Sequence, residues 1–148
     1  MTSTTAPKDS TFRSYSAEQA KLYATHRLAY AAAIYDIVLG HHSSTGGQFG
    51  VVLDVGCGPG NATRDVALSF EQAIGVDPGA AMIETARELG GKTKSGQAIR
   101  YELSPAEELS NVEGLEADSV DLLTVATAVS LLDCVCNGRK DEIGRAHV

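Results

Sequence analysis

A chain of 148 residues, 43% hydrophobic and 21% charged, is one domain at most, with enough apolar surface for a core. Its 12 basic and 19 acidic residues leave a formal net charge of −7. That balance argues against nucleic acid or an anionic membrane as the main partner, because both need a clustered basic surface. No apolar run approaches a membrane span, the Thr/Ser-rich start lacks a secretory signal's apolar stretch, and three cysteines without metal-ligand spacing suit a reducing compartment. The expected location is therefore cytoplasmic, with no membrane partner and no metal.

Residues 1–11 are polar, carry one proline and show no periodicity, so they read as a disordered tail. Ser16-Ala17-Glu18-Gln19 is a capping box, in which serine and glutamine side chains each take up the other's backbone amide. It predicts a helix to about His26. A second helix is expected over residues 31–41, with Ile34, Ile37 and Val38 on one face and Leu39 beside them. Gly40 and then Ser43-Ser44-Thr45-Gly46-Gly47 should end it, so that residues 12–47 make an N-terminal helical cap. The pair His41-His42 has the look of a metal site, yet adjacent helical residues point about 100° apart. No nearby acid or cysteine completes a ligand set, so a solvated helix end is expected.

Val51-Val52-Leu53-Asp54-Val55 reads as a parallel strand buried on both faces, since it lacks polar alternation apart from one acid near its end. Gly56-Cys57-Gly58-Pro59-Gly60 follows, and Asn61-Ala62-Thr63 opens a helix expected to reach about Leu68. Glycines let the backbone turn sharply and approach a ligand, and the amides of the next helix's first turn lie just behind them. Ala73-Ile74-Gly75-Val76-Asp77 is a second short strand ending in an acid, 23 residues after Asp54 (77 − 54). A carboxylate there can accept from both hydroxyls of a ribose. Asp77-Pro78-Gly79 can equally cap the helix expected over residues 80–89, whose core stripe is Met82, Ile83, Ala86 and Leu89. Residues 90–96 form a loop, Ile99-Arg100-Tyr101-Glu102-Leu103 alternates like a strand, and residues 118–126 read as a fourth strand. Three βα units ending in polar or glycine-rich tips place a ligand at the strands' carboxyl ends.

Asp54-x-Gly56-x-Gly58-x-Gly60 resembles the first motif of the class I S-adenosylmethionine-dependent methyltransferases. A nicotinamide fingerprint would need its third glycine at Asn61, one place later. The resemblance covers about residues 12–128. It implies an α/β fold, a Rossmann-like doubly wound parallel sheet whose first four strands occupy residues 48–128. It also implies S-adenosyl-L-methionine as cofactor and direct methyl transfer to a small molecule. The cofactor set implied is Asp54, Gly56, Cys57, Gly58, Gly60 and Asn61 from the first motif, Asp77 and Pro78 at the second strand's tip, Met82 beside the adenosine, and Ala106 and Glu107. Met82 is also an ordinary core residue in such a stripe. Ala106 and Glu107 match a family segment Asp-Ala-Glu-x-Leu in which Pro105 replaces the aspartate, so an adenine contact there would come from the Ala106 amide or Ser104. Acids in a first helical turn give the same residues a structural reading.

Tyr23-Ala24-x-x-Arg27-x-x-Tyr30 is similar to the N-terminal segment of a subgroup that includes trans-aconitate methyltransferases. That likeness implies Tyr23 and Arg27 facing the cofactor and a carboxylic acid as the methyl acceptor. The subgroup carries prolines where this chain has Ala31-Ala32, and two amphipathic helices with half-buried tyrosines fit the same residues. No catalytic residue is assigned.

After Ala128 the resemblance ends. Val129-Ser130 can be encoded by a splice-donor-like string, and residues 143–148 look like a translated sequencing adapter. Residues 129–148 are therefore expected to be an aberrant tail of non-native sequence, leaving residues 122–125 as an apolar sheet edge and the chain prone to self-association. A continuous exon encoding the last twenty residues would sink that reading. Two rivals for function stand beside the methyltransferase: an NAD- or nucleotide-binding oxidoreductase, and a non-catalytic cofactor-binding fragment. The acidic balance disfavours a nucleic-acid substrate.

Overall fold

The computed structural model describes residues 14–26 and 32–126. The tail over 1–11, Arg27, Tyr30 and the stretch 129–148 lie outside the described residues.

Both bonds of the capping box form. The Gln19 amide donates to Ser16 Oγ at 3.2 Å, and the Ser16 amide donates to Gln19 Oε1 at 2.9 Å. The helix they start, α1, runs Ala17–His26. Helix α2 spans Ala32–Ser44 and so continues through Gly40 and both histidines. It ends at Ser44, and at Gly46 a φ of +82° reverses the chain.

The reason for the longer helix is tertiary. His42 is buried rather than solvated: its Nε2 lies 2.6 Å from the Gln48 carbonyl, and its ring packs edge-on against Phe49 and tilted against Phe70. A Cβ on Gly47 would fall on that ring. Leu39, three residues before His42, is the α2 side chain packed on the core, while Ile34, Ile37 and Val38 are exposed. The expected stripe of α2 is therefore corrected.

Strands β1 (Val51–Val55), β2 (Gln72–Asp77), β3 (Arg100–Leu103) and β4 (Leu122–Thr124) form one parallel sheet in the order β3-β2-β1-β4. Helix α3 (Asn61–Ala67) carries the chain from β1 to β2, and α4 (Ala80–Leu89) from β2 to β3. A 3-10 helix, Ala106–Asn111, leads towards β4. The chain thus moves outward from β1 to β3 and then returns to the other side of β1. Crevices in such sheets open at the carboxyl ends beside that reversal.

Alternation along the central strands feeds two cores. Val52 of β1 and Ala73 of β2 face a cluster with Val66, Ala67, Phe70, Ile83 and Ala86 from the helices. Leu53, Val55, Ile74 and Val76 face the other side, under Leu109 and Val112. Gly75 lies on the helical side for want of room: a Cβ there would come within 2.9 Å of the Tyr101 ring and 3.0 Å of Cys57 Sγ. In α4 the stripe holds at Met82, Ile83 and Ala86, but Leu89 is exposed and Thr85 is buried in its stead, bonded to the Ala81 carbonyl at 2.9 Å. The fourth strand is shorter than its apolar run, because a turn at Glu116–Ser119 and a φ of +61° at Asp118 precede it.

Candidate functional site

The loop after β1 carries its three glycines at φ +71°, +55° and +83° for Gly56, Gly58 and Gly60. Side chains rarely tolerate that conformation, so the spacing is a backbone requirement. The loop is tied to β2. Amides of Gly56 and Cys57 both donate to the Val76 carbonyl, at 2.8 and 3.0 Å. The Gly58 amide donates to Asp77 Oδ2 at 3.0 Å, and Asp77 Oδ1 accepts from the Gly79 amide at 2.8 Å. One carboxylate therefore joins the glycine loop to the turn that opens α4. The N-cap of α4 is Gly79 and takes no side-chain bond, so the expected capping by Asp77 is corrected: its carboxylate closes the turn before the helix, at the tip of β2 where a ribose partner is expected.

Asp54 serves the loop from below. It is 1% exposed, and its oxygens accept from Thr63 Oγ1 at 2.6 Å and Thr124 Oγ1 at 2.8 Å. Thr124 is its register partner on β4, so this acid ties β1 to α3 and to β4 together. Cys57 turns its sulfur inward towards the Gly58 carbonyl and Gly75. Burial pushes that thiol well above its usual range, and the Asp54 and Asp77 carboxylates push it further. It stays protonated, and what it offers a ligand is backbone. Met82 is fully buried.

Tyr23 of α1 lies over the loop, with Cε1 at 4.0 Å from where a Gly58 Cβ would stand and its ring edge-on to Tyr15 at 6.1 Å. The Asn61 amide nitrogen donates to the Ala24 carbonyl at 3.1 Å, so the N-terminal helix is attached to the loop it covers. At the far side, Ser104 follows β3 and its amide donates to the Asp77 carbonyl at 3.1 Å, with its hydroxyl turned to the Pro105 carbonyl. Ala106 opens the 3-10 helix that follows. Glu107 stands beside it, exposed. Pro78 lies between Asp77 and Gly79 and is half-buried.

Sequence reasoning missed four supports of this site. Thr63 and Thr124 carry no pattern that marks them as partners of an acid. Arg64 donates Nη1 to the Pro59 carbonyl at 2.8 Å and Nη2 to Asn61 Oδ1 at 2.6 Å, bracing the loop from inside α3. Tyr101 backs Gly60, where a Cβ would come within 2.7 Å of its hydroxyl, and that hydroxyl donates to the Gly90 carbonyl at 3.0 Å. Burial raises Tyr101 to about 12, with the Arg64 cation offsetting part of the effect. The alternation of β3 was the one available signal, because it faces Tyr101 inward.

Among the described residues no group of His, Cys, Asp and Glu could hold a metal ion, and no helix is long and apolar enough to cross a membrane. What the site offers is a shaped backbone cradle with one carboxylate at its rim and an aromatic lid.

Known proteins resemble this chain. Residues 52–136 match the family described as "Methyltransferase domain", a span running from β1 past the end of β4. The chain is 31% identical over 126 residues to methyltransferase cfoB of Aspergillus candidus, covering 84% of this chain and 38% of that protein. It is 30% identical over 107 residues to CRG1 of Saccharomyces cerevisiae, named as a candidate S-adenosylmethionine-dependent methyltransferase, covering 72% and 35%. Among solved structures, a candidate type II methyltransferase from Anaeromyxobacter dehalogenans superposes with a TM-score of 0.58 at 30% identity, over 80% of this chain and 45% of that one. The chain thus spans less than half the length of these relatives.

Proposed function

Because this chain belongs to the methyltransferase-domain family, we propose that it forms the cofactor-binding part of a class I, S-adenosylmethionine-dependent enzyme that methylates a small molecule. The observation that carries the reading is Asp77, which clamps the Gly58 amide while standing at the tip of β2. An acid so placed fixes the glycine loop and faces the position of a ribose. The residues fit an adenosyl ligand: three left-handed glycines keep side chains out of the cradle, and Tyr23 roofs it. In this reading Gly56, Gly58, Gly60 and the first turn of α3 pass beneath the cofactor. Asp77 and Pro78 take its ribose end, Ala106 and Glu107 its base, and Tyr23 with Arg27 the covering side.

When bound, S-adenosylmethionine supplies a methyl carbon on a sulfonium that leaves as a neutral thioether. The chain's own contribution is to hold the reactants in line and to exclude water, which can supply most of the catalysis of such a displacement. The acceptor is proposed to be a carboxylate, already an anion at neutral pH and in no need of a general base. Support for that choice is the Tyr23…Arg27…Tyr30 segment, whose arginine suits a carboxylate. A nicotinamide cofactor is disfavoured by the glycine spacing, which puts Asn61 where that fingerprint wants glycine.

Calorimetric titration with S-adenosylhomocysteine tests the proposal. Binding is expected that excludes NAD and weakens by about 100-fold in Asp77→Ala, the scale of losing charge-assisted bonds and freeing the loop. A cooperatively melting chain that does not bind would overturn it. Binding without methyl transfer to any small acid would favour a non-catalytic cofactor-binding module.

A further inference from the structure

The contacts of Asn61 point away from the cradle. It is the first residue of α3, placed there by the left-handed turn at Gly60. Its Oδ1 accepts from Arg64 Nη2 at 2.6 Å, and its Nδ2 donates to the Ala24 carbonyl at 3.1 Å. Ala24 lies in the last described turn of α1. Asn61 therefore donates to a carbonyl in the last turn of the helix that carries Tyr23, and Tyr23 roofs Gly58.

Arg64 decides which way the amide faces. A guanidinium only donates and a backbone carbonyl only accepts, so one orientation of the Asn61 side chain satisfies both. The second arm of the same guanidinium holds the Pro59 carbonyl at 2.8 Å, inside the glycine loop. Loop, asparagine and covering helix are joined by one cation. A further polar tie on α1, Lys21 to Glu88 at 3.0 Å, is exposed on both sides and contributes little.

We propose that Asn61 is a positioning residue, held by Arg64, that latches α1 over the glycine loop and sets how long a ligand stays beneath Tyr23. The proposal rests on the cofactor reading above for the identity of that ligand. The latch itself exists without it.

Asn61→Asp is the decisive variant. It keeps the shape and the Arg64 contact, and suits a helix N-terminus, but sets a carboxylate oxygen against the Ala24 carbonyl. Two measurements are made on the full chain. In the absence of ligand, hydrogen exchange of the α1 amides is expected to rise about fivefold or more, the scale of one net hydrogen bond, while β1 and β2 exchange as before. In the presence of S-adenosylhomocysteine, its dissociation rate should rise by a similar factor with the melting temperature little changed. Arg64→Lys, which keeps the charge but loses the fork, should move both in the same direction by less. Lys21→Ala should move α1 exchange less than Asn61→Asp does. Unchanged α1 exchange in both Asn61→Asp and Arg64→Lys would overturn the latch. Failure of the unsubstituted chain to bind S-adenosylhomocysteine would count against the cofactor reading alone, because exchange still reports on the latch.

Discussion

The two flanks of the β1 strand differ in how their surfaces are finished. Towards β2, Asp77 and Arg64 bond to the glycine loop, Tyr101 backs Gly60, and α1 covers the result. Towards β4 the chain leaves apolar groups facing outward. A groove of about 870 Å3 runs between α2 and β4, lined by Ile34, Val38, Leu123 and Val125 among others. Ile37 is 71% exposed beside it. Among the described residues β4 pairs only with β1, and none pairs with its outer edge. The lesson is one of division. The ligand cradle is completed by α1 and by Tyr101 of β3, whereas the α2–β4 flank is not completed by anything described.

Substitutions can break or sharpen this contrast. The largest effect after Asp77→Ala is expected from Asp54→Ala, which leaves the fully buried Thr63 hydroxyl without its acceptor and removes the side-chain tie from β1 to Thr124 of β4. Denaturant unfolding should show a loss of about 1–3 kcal/mol, together with weaker ligand binding. If stability is retained, the Asp54 network is ornamental and the contrast fails.

A pH effect should follow from Tyr101, raised to about 12 by burial. The folded state holds this proton more tightly than the unfolded state, whose tyrosine titrates near 10. Stability is therefore fully present below about pH 10 and declines as pH rises from about 10 to about 12. Tyr101→Phe should flatten that decline in melts followed across the range. An unaltered pH profile would place the tyrosine in solvent.

The smallest effect belongs to the other flank. Ile37→Ser should change stability by no more than about 0.5 kcal/mol, because the side chain is already in water. Sedimentation should nevertheless show less self-association if the exposed flank is what draws copies together. Equal association would assign it elsewhere.

Much of this was legible from residue order. Capping box, apolar strands and left-handed glycines are local signals, and each appears where expected: α1 begins at Ala17, β1 covers Val51–Val55, and Gly56, Gly58 and Gly60 all have positive φ. Expectations failed where a distant neighbour intervened. Gly40 reads as a helix stop, yet α2 runs past it because His42 is gripped by Phe49 and Phe70. Leu89 fits the stripe of α4 by periodicity and ends exposed, since the stripe outruns the sheet it packs on.

By itself, the sequence determined that a buried parallel strand runs into a glycine loop with an acid before it and another at the next strand's tip. Backbone preference and burial are properties of short segments, so they can be read along the chain. Only the tertiary structure decided what the acids hold. Thr124 lies 70 residues from Asp54, Asp77 reaches back 19 to Gly58, and Asn61 reaches back 37 to Ala24. Such partners are chosen by which strands lie side by side, and a period of two or 3.6 residues carries no record of that choice.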